Sequence, residues 1–225
     1  MKYIYIFFIL SSSLCIGAQQ IEFFGGPNHN RFFDLQSANS IFHTDYEAGG
    51  NISFGLALNQ ITIDKTKINA RLSFENFHGK LNLHYGNDLK SMTNANVEKS
   101  IISLALYPLN KTLFERLNLS LGLVLSRLFG EKYSGQEILE TFNPNAPMID
   151  EIDEKYSRYS TKFYLGYRAL ISYDIPINDT YFITPQYVFH FGQTLEFINF
   201  PITTKSIRQF VGIGIKKNLK GREKG

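Results

Sequence analysis

The sequence predicts an all-β fold, an eight-stranded antiparallel up-and-down transmembrane β-barrel, on three observations. Leu117 to Ser126 alternates leucine at 117, 119, 121, 123 and 125 with Asn118, Ser120, Gly122, Val124 and Ser126, so all five leucines share one face of a strand. Nearly every other strand repeats the alternation with small or charged residues opposite the apolar ones, the pattern of a sheet closed on itself with lipid outside and polar groups within. The connections alternate in length, short after even strands and long after odd ones, as in an outer-membrane barrel with both termini in the periplasm.

Taken in order, residues 1–18 read as a cleaved signal peptide. Lys2 supplies the positive end, Tyr3 to Leu10 the apolar core, Ser11 to Ser13 a polar break, and Ile16-Gly17-Ala18 a cleavage site before Gln19. The apolar core is far shorter than the roughly 20 residues of a spanning helix, and no later run approaches that length, so any crossing is made by strands. Cys15 is the only cysteine. It lacks the flanking residues of a lipoprotein signal, since Leu14 is adjacent to it. The exported chain therefore has no disulfide and no cysteine metal site, and no cofactor is expected.

The barrel is expected over 19–216. Its strands are placed at Ile21 to Gly26, Tyr46 to Leu58, Ile68 to Phe77, Lys99 to Tyr107, Leu117 to Ser126, Thr161 to Tyr173, Tyr181 to Phe191 and Ser206 to Ile215, close to the roughly 9 to 11 residues of a tilted spanning strand. Pro185 interrupts the seventh, because it cannot donate to a ladder, and predicts a bulge or local gap. Ile61 and Ile63 fall on the opposite parity from Leu56 and Leu58, which leaves the facing of 60–67 open. The long loops are Pro27 to Asp45, His78 to Glu98, Arg127 to Ser160 and Gly192 to Lys205. Aromatic residues make up 15% of the chain, with no tryptophan. Tyr173 and Tyr181 are placed at the short-turn rim and Tyr46, Phe163 and Phe191 at the long-loop rim, where their rings suit lipid headgroups.

The net charge of +3 sits in Lys2 and the basic C-terminus, where residues 217–225 form a periplasmic tail; the body is near neutral and carries no nucleic-acid footprint. Residues facing inward by parity include Glu47, Arg71, Glu75, Lys162, Arg168, Gln186 and Arg208. An eight-stranded barrel is just wide enough to be filled by its own side chains, so this set predicts a structural plug rather than a channel. An outer-membrane lipid-modifying enzyme would instead bring His78 or His190 to a serine and a carboxylate at the long-loop rim, with Ser160, Glu75 and Glu196 the residues nearest in this sketch. No spacing motif links them. His29, His43 and His84 share no metal-ligand spacing, and Asp150-Glu151-Ile152-Asp153-Glu154 lacks the glycine turn of a calcium loop and reads as a solvated acidic loop. A soluble lipocalin-like carrier would need the leucine faces turned inward, leaving arginines outside.

Gly25-Gly26-Pro27-Asn28, the paired Phe32-Phe33, Leu104-Ala105-Leu106-Tyr107-Pro108-Leu109 and the closing Phe210-Val211-Gly212-Ile213-Gly214-Ile215 resemble the small outer-membrane β-barrel family that includes PorT-like and OmpX-like proteins. Within that family PorT-like members are implicated in a secretion machinery; the residues themselves predict a nonporous structural or interaction barrel in contact with outer-membrane lipid and not an enzyme. Envelope proteins would be met through the long loops or the basic tail. One departure is that Lys216 to Gly225 follows the last strand, where such barrels usually end on an aromatic residue.

Overall fold

The computed structural model describes residues 19–34, 42–64, 66–85, 91–139, 147–154, 160–197 and 203–219. The expected signal peptide and the part of the expected tail beyond 219 lie outside the described residues. The strands are β1 (Gln20–Asp34), β2 (Phe42–Glu47), β3 (Gly49–Ile63), β4 (Thr66–Tyr85), β5 (Ser91–Leu113), β6 (Leu117–Leu139), β7 (Met148–Glu154), β8 (Phe163–Tyr173), β9 (Ile175–Pro176), β10 (Tyr181–Gly192) and β11 (Thr204–Asn218). Eight of them form a ring in the order β1-β3-β4-β5-β6-β8-β10-β11, every neighbour antiparallel, closed by β11 on β1. The short strands extend that ring: β2 continues β3 along β4, β7 pairs β6, and β9 pairs β10. This is the predicted eight-stranded up-and-down barrel, with no free edge around its waist.

Period two sets its two surfaces. Leu121, Leu123 and Leu125 are each more than half exposed, as are Val211, Ile213 and Ile215 on β11, while Ser120, Val124 and Ser126 are buried. Phe163, Leu165, Tyr167 and Ile171 continue the outer band on β8, and Ile52, Phe54 and Leu56 on β3. A continuous apolar wall of this extent is the reverse of a water-soluble sandwich, which would bury these faces, and it suits contact with acyl chains.

The strands run well past the segments expected from alternation. β5 and β6 have 23 residues each, about twice the length needed to span a bilayer, and β1 continues through Phe32 and Phe33. Much of the first three expected long loops is therefore strand, whereas Gly192 to Lys205 remains the connection between β10 and β11. The acidic stretch is not a loop either: it lies in β7, with Asp150, Glu151 and Asp153 exposed. The last strand likewise takes in Lys216, Lys217 and Asn218, and Leu219 N donates to Gln19 O at 2.8 Å, so the barrel closes beyond the point where the tail was placed.

Register shifts decide where the alternation changes sense. Glu47 pairs with Lys80, whereas Ser53 pairs with Glu75, so one extra residue enters at Ala48 between β2 and β3. A second shift lies between Leu58 and Ile61, where Gln60 has φ 56°. It carries Ile61 onto the face of its partner Ile68, where it packs with Leu58 and Ala70. This resolves the parity conflict of 60–67. A third lies at Phe129, opposite Ser100 and Ile101 on β5; below it Val124 and Ser126 face in, above it Glu131 and Tyr133 do. At Pro185 the ladder to β8 stops at Gln186 and resumes on β9 at Ile183, the local gap that its missing N–H requires.

Candidate functional site

Among the described residues the lumen is the one region where charged side chains are withdrawn from water, and it is layered. Nearest the short turns, Lys216 Nζ lies 2.6 Å from Asp174, whose carboxylate also accepts from Thr184 Oγ1 at 3.0 Å. Next, Glu22 accepts from Asn59 at 3.1 Å and Gln186 at 3.2 Å. Gly214 makes room for it: a Cβ there would stand 2.3 Å from a Glu22 carboxylate oxygen. Arg71 lies above, its guanidinium 3.4 Å over the Phe24 ring in a cation–π contact. Phe24 and Phe210 meet edge to face, and with Ala57, Ala105, Tyr107, Val124, Leu170 and Val188 they form an apolar layer inside the barrel. The interior is thus not uniformly polar.

At the centre is Glu75. Arg168 approaches it at 2.5 Å and Arg208 at 2.9 Å, and Ser73 donates to it at 2.7 Å. Arg208 also donates to His190 Nε2 at 2.7 Å, which makes that nitrogen an acceptor and His190 neutral. Parity places these groups correctly because β4, β8, β10 and β11 have no register shift between them at this height.

A second apolar layer of Phe32, Phe77, Ile101 and Tyr164 separates this cluster from an upper one. There Lys99 lies 2.8 Å from Glu196 and 3.9 Å from Glu131, all three buried. Tyr133 donates to Glu131 at 2.6 Å, Ser160 is hydrogen-bonded to the same carboxylate, and Ser206 donates to Glu196 at 2.5 Å. Glu196 lies in the connection between β10 and β11. Burial alone would raise its carboxyl, but Lys99, and then Arg208, hold it below the usual carboxylate range. At the upper rim Asp34 collects Tyr46 at 2.8 Å and Thr204 at 2.9 Å, and burial pushes the Tyr46 phenol above its ordinary range.

Of the seven residues expected inside, Arg71, Glu75, Arg168, Gln186 and Arg208 are buried in the lumen. Glu47 and Lys162 are not. The shift at Ala48 turns Glu47 outward, where it pairs with Lys80 at 2.9 Å with both side chains half exposed. Lys162 is exposed at a bend before β8, which begins only at Phe163; its carbonyl accepts from Leu128 N at 2.9 Å. The same shift at Ala48 removes Tyr46 from the outer belt and packs it against Phe32, while Phe163, Tyr173 and Tyr181 do face outward.

The sequence reading missed Lys99, Glu131 and Tyr133 as one cluster, because it ended the strand at Ser126 and placed Arg127 to Ser160 in a loop, whereas β6 runs on through a bulge at Phe129 to Leu139. Glu22 was missed because six residues of β1 were too few to set a face.

The catalytic constellation does not assemble. His190 is held by Arg208 in the central cluster and Ser160 by Glu131 and Tyr133 in the upper one, with the apolar layer between them; His78 is exposed on β4. Among the described residues no three His, Cys, Asp or Glu side chains are grouped to hold a metal ion. The cavity left at the central cluster measures ≈ 30 Å³, room for a water-sized occupant.

No protein-family model and no curated protein sequence matches the chain. Among solved structures it is similar to OprG, an outer membrane protein of Pseudomonas aeruginosa, at 11% identity and TM-score 0.43, covering 90% of this chain and 97% of that one. It is similar to the neisserial surface protein NspA at 8% identity and TM-score 0.40, covering 88% and 96%. It is also similar to Ail, the attachment invasion locus protein of Yersinia pestis, at 10% identity and TM-score 0.39, covering 88% and 99%.

Proposed function

We propose that the chain is a small nonporous barrel of a bacterial outer membrane with a structural or protein-interaction role, and that it is not an enzyme. The observation that carries this reading is the filled lumen: Glu75 bridging Arg168 and Arg208 across the ring, with a ≈ 30 Å³ cavity beside it. Solutes have no path of useful width through such a plug, and the outer apolar band commits the body to lipid. Signal-directed export, with both barrel ends on the periplasmic side, is supported by the leader-like residues 1–18 and by the first and last strands meeting at the short-turn rim.

The part that projects is the sheet β2-β4-β5-β6-β7, which extends above the band and ends on β7 with Met148 and Ile149 exposed beside Asp150 and Glu151. An edge strand of this kind offers backbone pairing to a partner chain, with the acidic residues limiting indiscriminate pairing. An accessory place in an envelope or secretion complex fits this surface.

The test is to fractionate expressing cells and run the outer-membrane extract unboiled beside boiled. Recovery with the outer membrane and a mobility shift on boiling is expected, followed by photo-crosslinking from position 149 to an envelope protein. Soluble periplasmic recovery without a shift overturns the reading. Lipid hydrolysis or acyl transfer by the purified barrel would overturn its nonenzymatic part.

A further inference from the structure

The two sides of the outer wall differ in charge at the long-loop rim. The strands β6, β8, β10, β11 and β1 are consecutive neighbours in the ring, and on each the lipid-facing row can be followed upward to its first fixed charge. On β6, Leu121, Leu123 and Leu125 lead to Arg127. On β11, Ile215, Ile213 and Val211 lead through Gln209 and Ile207 to Lys205. On β1 the row that starts at Phe23 reaches Arg31, and β8 begins at Phe163 with the exposed Lys162 immediately before it. β10 ends its row on Phe191 without a charge. All four first charges are cations.

Among the described residues none of the four has an ion-pair partner. The carboxylates on these strands or their connections at this rim, Asp34, Glu131 and Glu196, are engaged on the inner side by Tyr46 and Thr204, by Tyr133 and by Lys99. The stretches 35–41, 155–159 and 198–202, which lead into or out of the same strands, contain no aspartate or glutamate. Two of the cations stand by aromatic rings instead. Arg127 lies 5.7 Å from the centre of the Phe163 ring and Lys205 5.9 Å from that of Phe191, which Phe33 also meets at 5.9 Å. Rings and cations together at the end of an apolar row mark the depth where acyl chains give way to headgroups. On the opposite side β5 reaches Glu98 first, and the higher cations Lys80 and Lys132 are paired with Glu47 and Asp153.

We propose that this arc binds phosphate-bearing lipid headgroups of the outer leaflet, with Arg31, Arg127, Lys162 and Lys205 supplying the charge. The inference rests on the reading of the outer apolar band as the lipid-facing surface. Phosphate is the anion that headgroup depth supplies, and a guanidinium meets it with two parallel donors. From β6 to β1 the arc crosses four inter-strand steps, about 19 Å, which is wider than one phosphate, so it gathers more than one headgroup. A second copy in the same membrane is a poor occupant, because its acidic strand β7 projects above this depth.

The experiment is native mass spectrometry of the full barrel, released from detergent after incubation with phosphatidic acid or with phosphatidylcholine of the same acyl chains. Phosphatidic acid is expected to be retained about tenfold or more over phosphatidylcholine. Arg127→Gln with Lys162→Gln, and Arg31→Gln with Lys205→Gln, should each lower that preference about fivefold or more, and all four together should abolish it. Lys80→Gln and Lys132→Gln should leave it unchanged. These side chains lie on the outer surface, so every variant is expected to keep its mobility shift on an unboiled gel. Inorganic phosphate is expected to add no bound mass. Equal retention of the two lipids, a preference that survives in the fourfold variant, an equal loss in Lys80→Gln, or retention of inorganic phosphate would overturn the proposal while leaving the membrane barrel standing. Capture of neither lipid would overturn the lipid-facing reading along with it.

Discussion

Around Glu75, side chains from β4, β8, β10 and β11 meet across the width of the ring at the height of the outer apolar band. Around Lys99, side chains from β5, β6 and β8 meet the β10–β11 connection above that band. The chemistry is the same, buried ions made tolerable by several hydrogen bonds each, but the reach differs. The lower cluster joins strands that are far apart around the ring, so it cannot open without opening the barrel. The upper one fastens a connection and a strand extension that the ring can release while staying closed. A buried pair stabilises according to what must move when it breaks.

Four outcomes sharpen this contrast. The largest effect is expected from Glu75→Ala, which strands two guanidiniums at bilayer height and should cost about 3–5 kcal/mol, read as a single cooperative urea transition of the whole barrel. Lys99→Met removes the cation between Glu131 and Glu196; its cost of about 3 kcal/mol should fall on the upper strands, as faster amide exchange around residues 128–139 and 193–197, with the global transition little moved. If both variants lowered the global transition alike, the two clusters would not differ in kind.

Acid should separate the clusters as well. The folded Glu196 carboxyl titrates below its unfolded value, so its stabilisation is complete above the ordinary carboxylate range and is lost as pH falls through the depressed folded value. Protease cleavage in the β10–β11 connection is expected to rise over that acid window, while the barrel still migrates as folded on an unboiled gel. The smallest effect belongs to the exposed Glu47–Lys80 pair: Lys80→Ala should change stability by about 1 kcal/mol or less, and added salt should erase even that.

The sequence made one of these two regions legible and hid the other, for a physical reason. Leu121 to Leu125 and Arg168, Gln186 and Arg208 lie on stretches without register shifts, where period two fixes the face of every residue. Glu131 and Tyr133 lie beyond the bulge at Phe129, and Glu47 and Tyr46 before the one at Ala48. A single extra residue reverses all the faces past it, and nothing in composition announces where it enters. Gln60 was the exception, because Ile61 and Ile63 signalled the reversal by their own apolarity. Glu196 is held in place by Lys99 and Ser206 across the lumen, a contact 97 residues distant in the first case, so no local pattern could reveal it.

Both regions depend on one claim, that the leucine face meets lipid and the arginine face fills the lumen. Because Cys15 is the only cysteine and can be replaced by serine, single cysteines can be introduced into a silent background at each position from 119 to 127 and spin-labelled in bilayers. Labels at 121, 123 and 125 should be mobile and open to oxygen but not to a water-soluble nickel chelate, and labels at 120, 124 and 126 should be immobile and closed to both. The opposite alternation, or access of the nickel chelate to the leucine positions, would contradict the account.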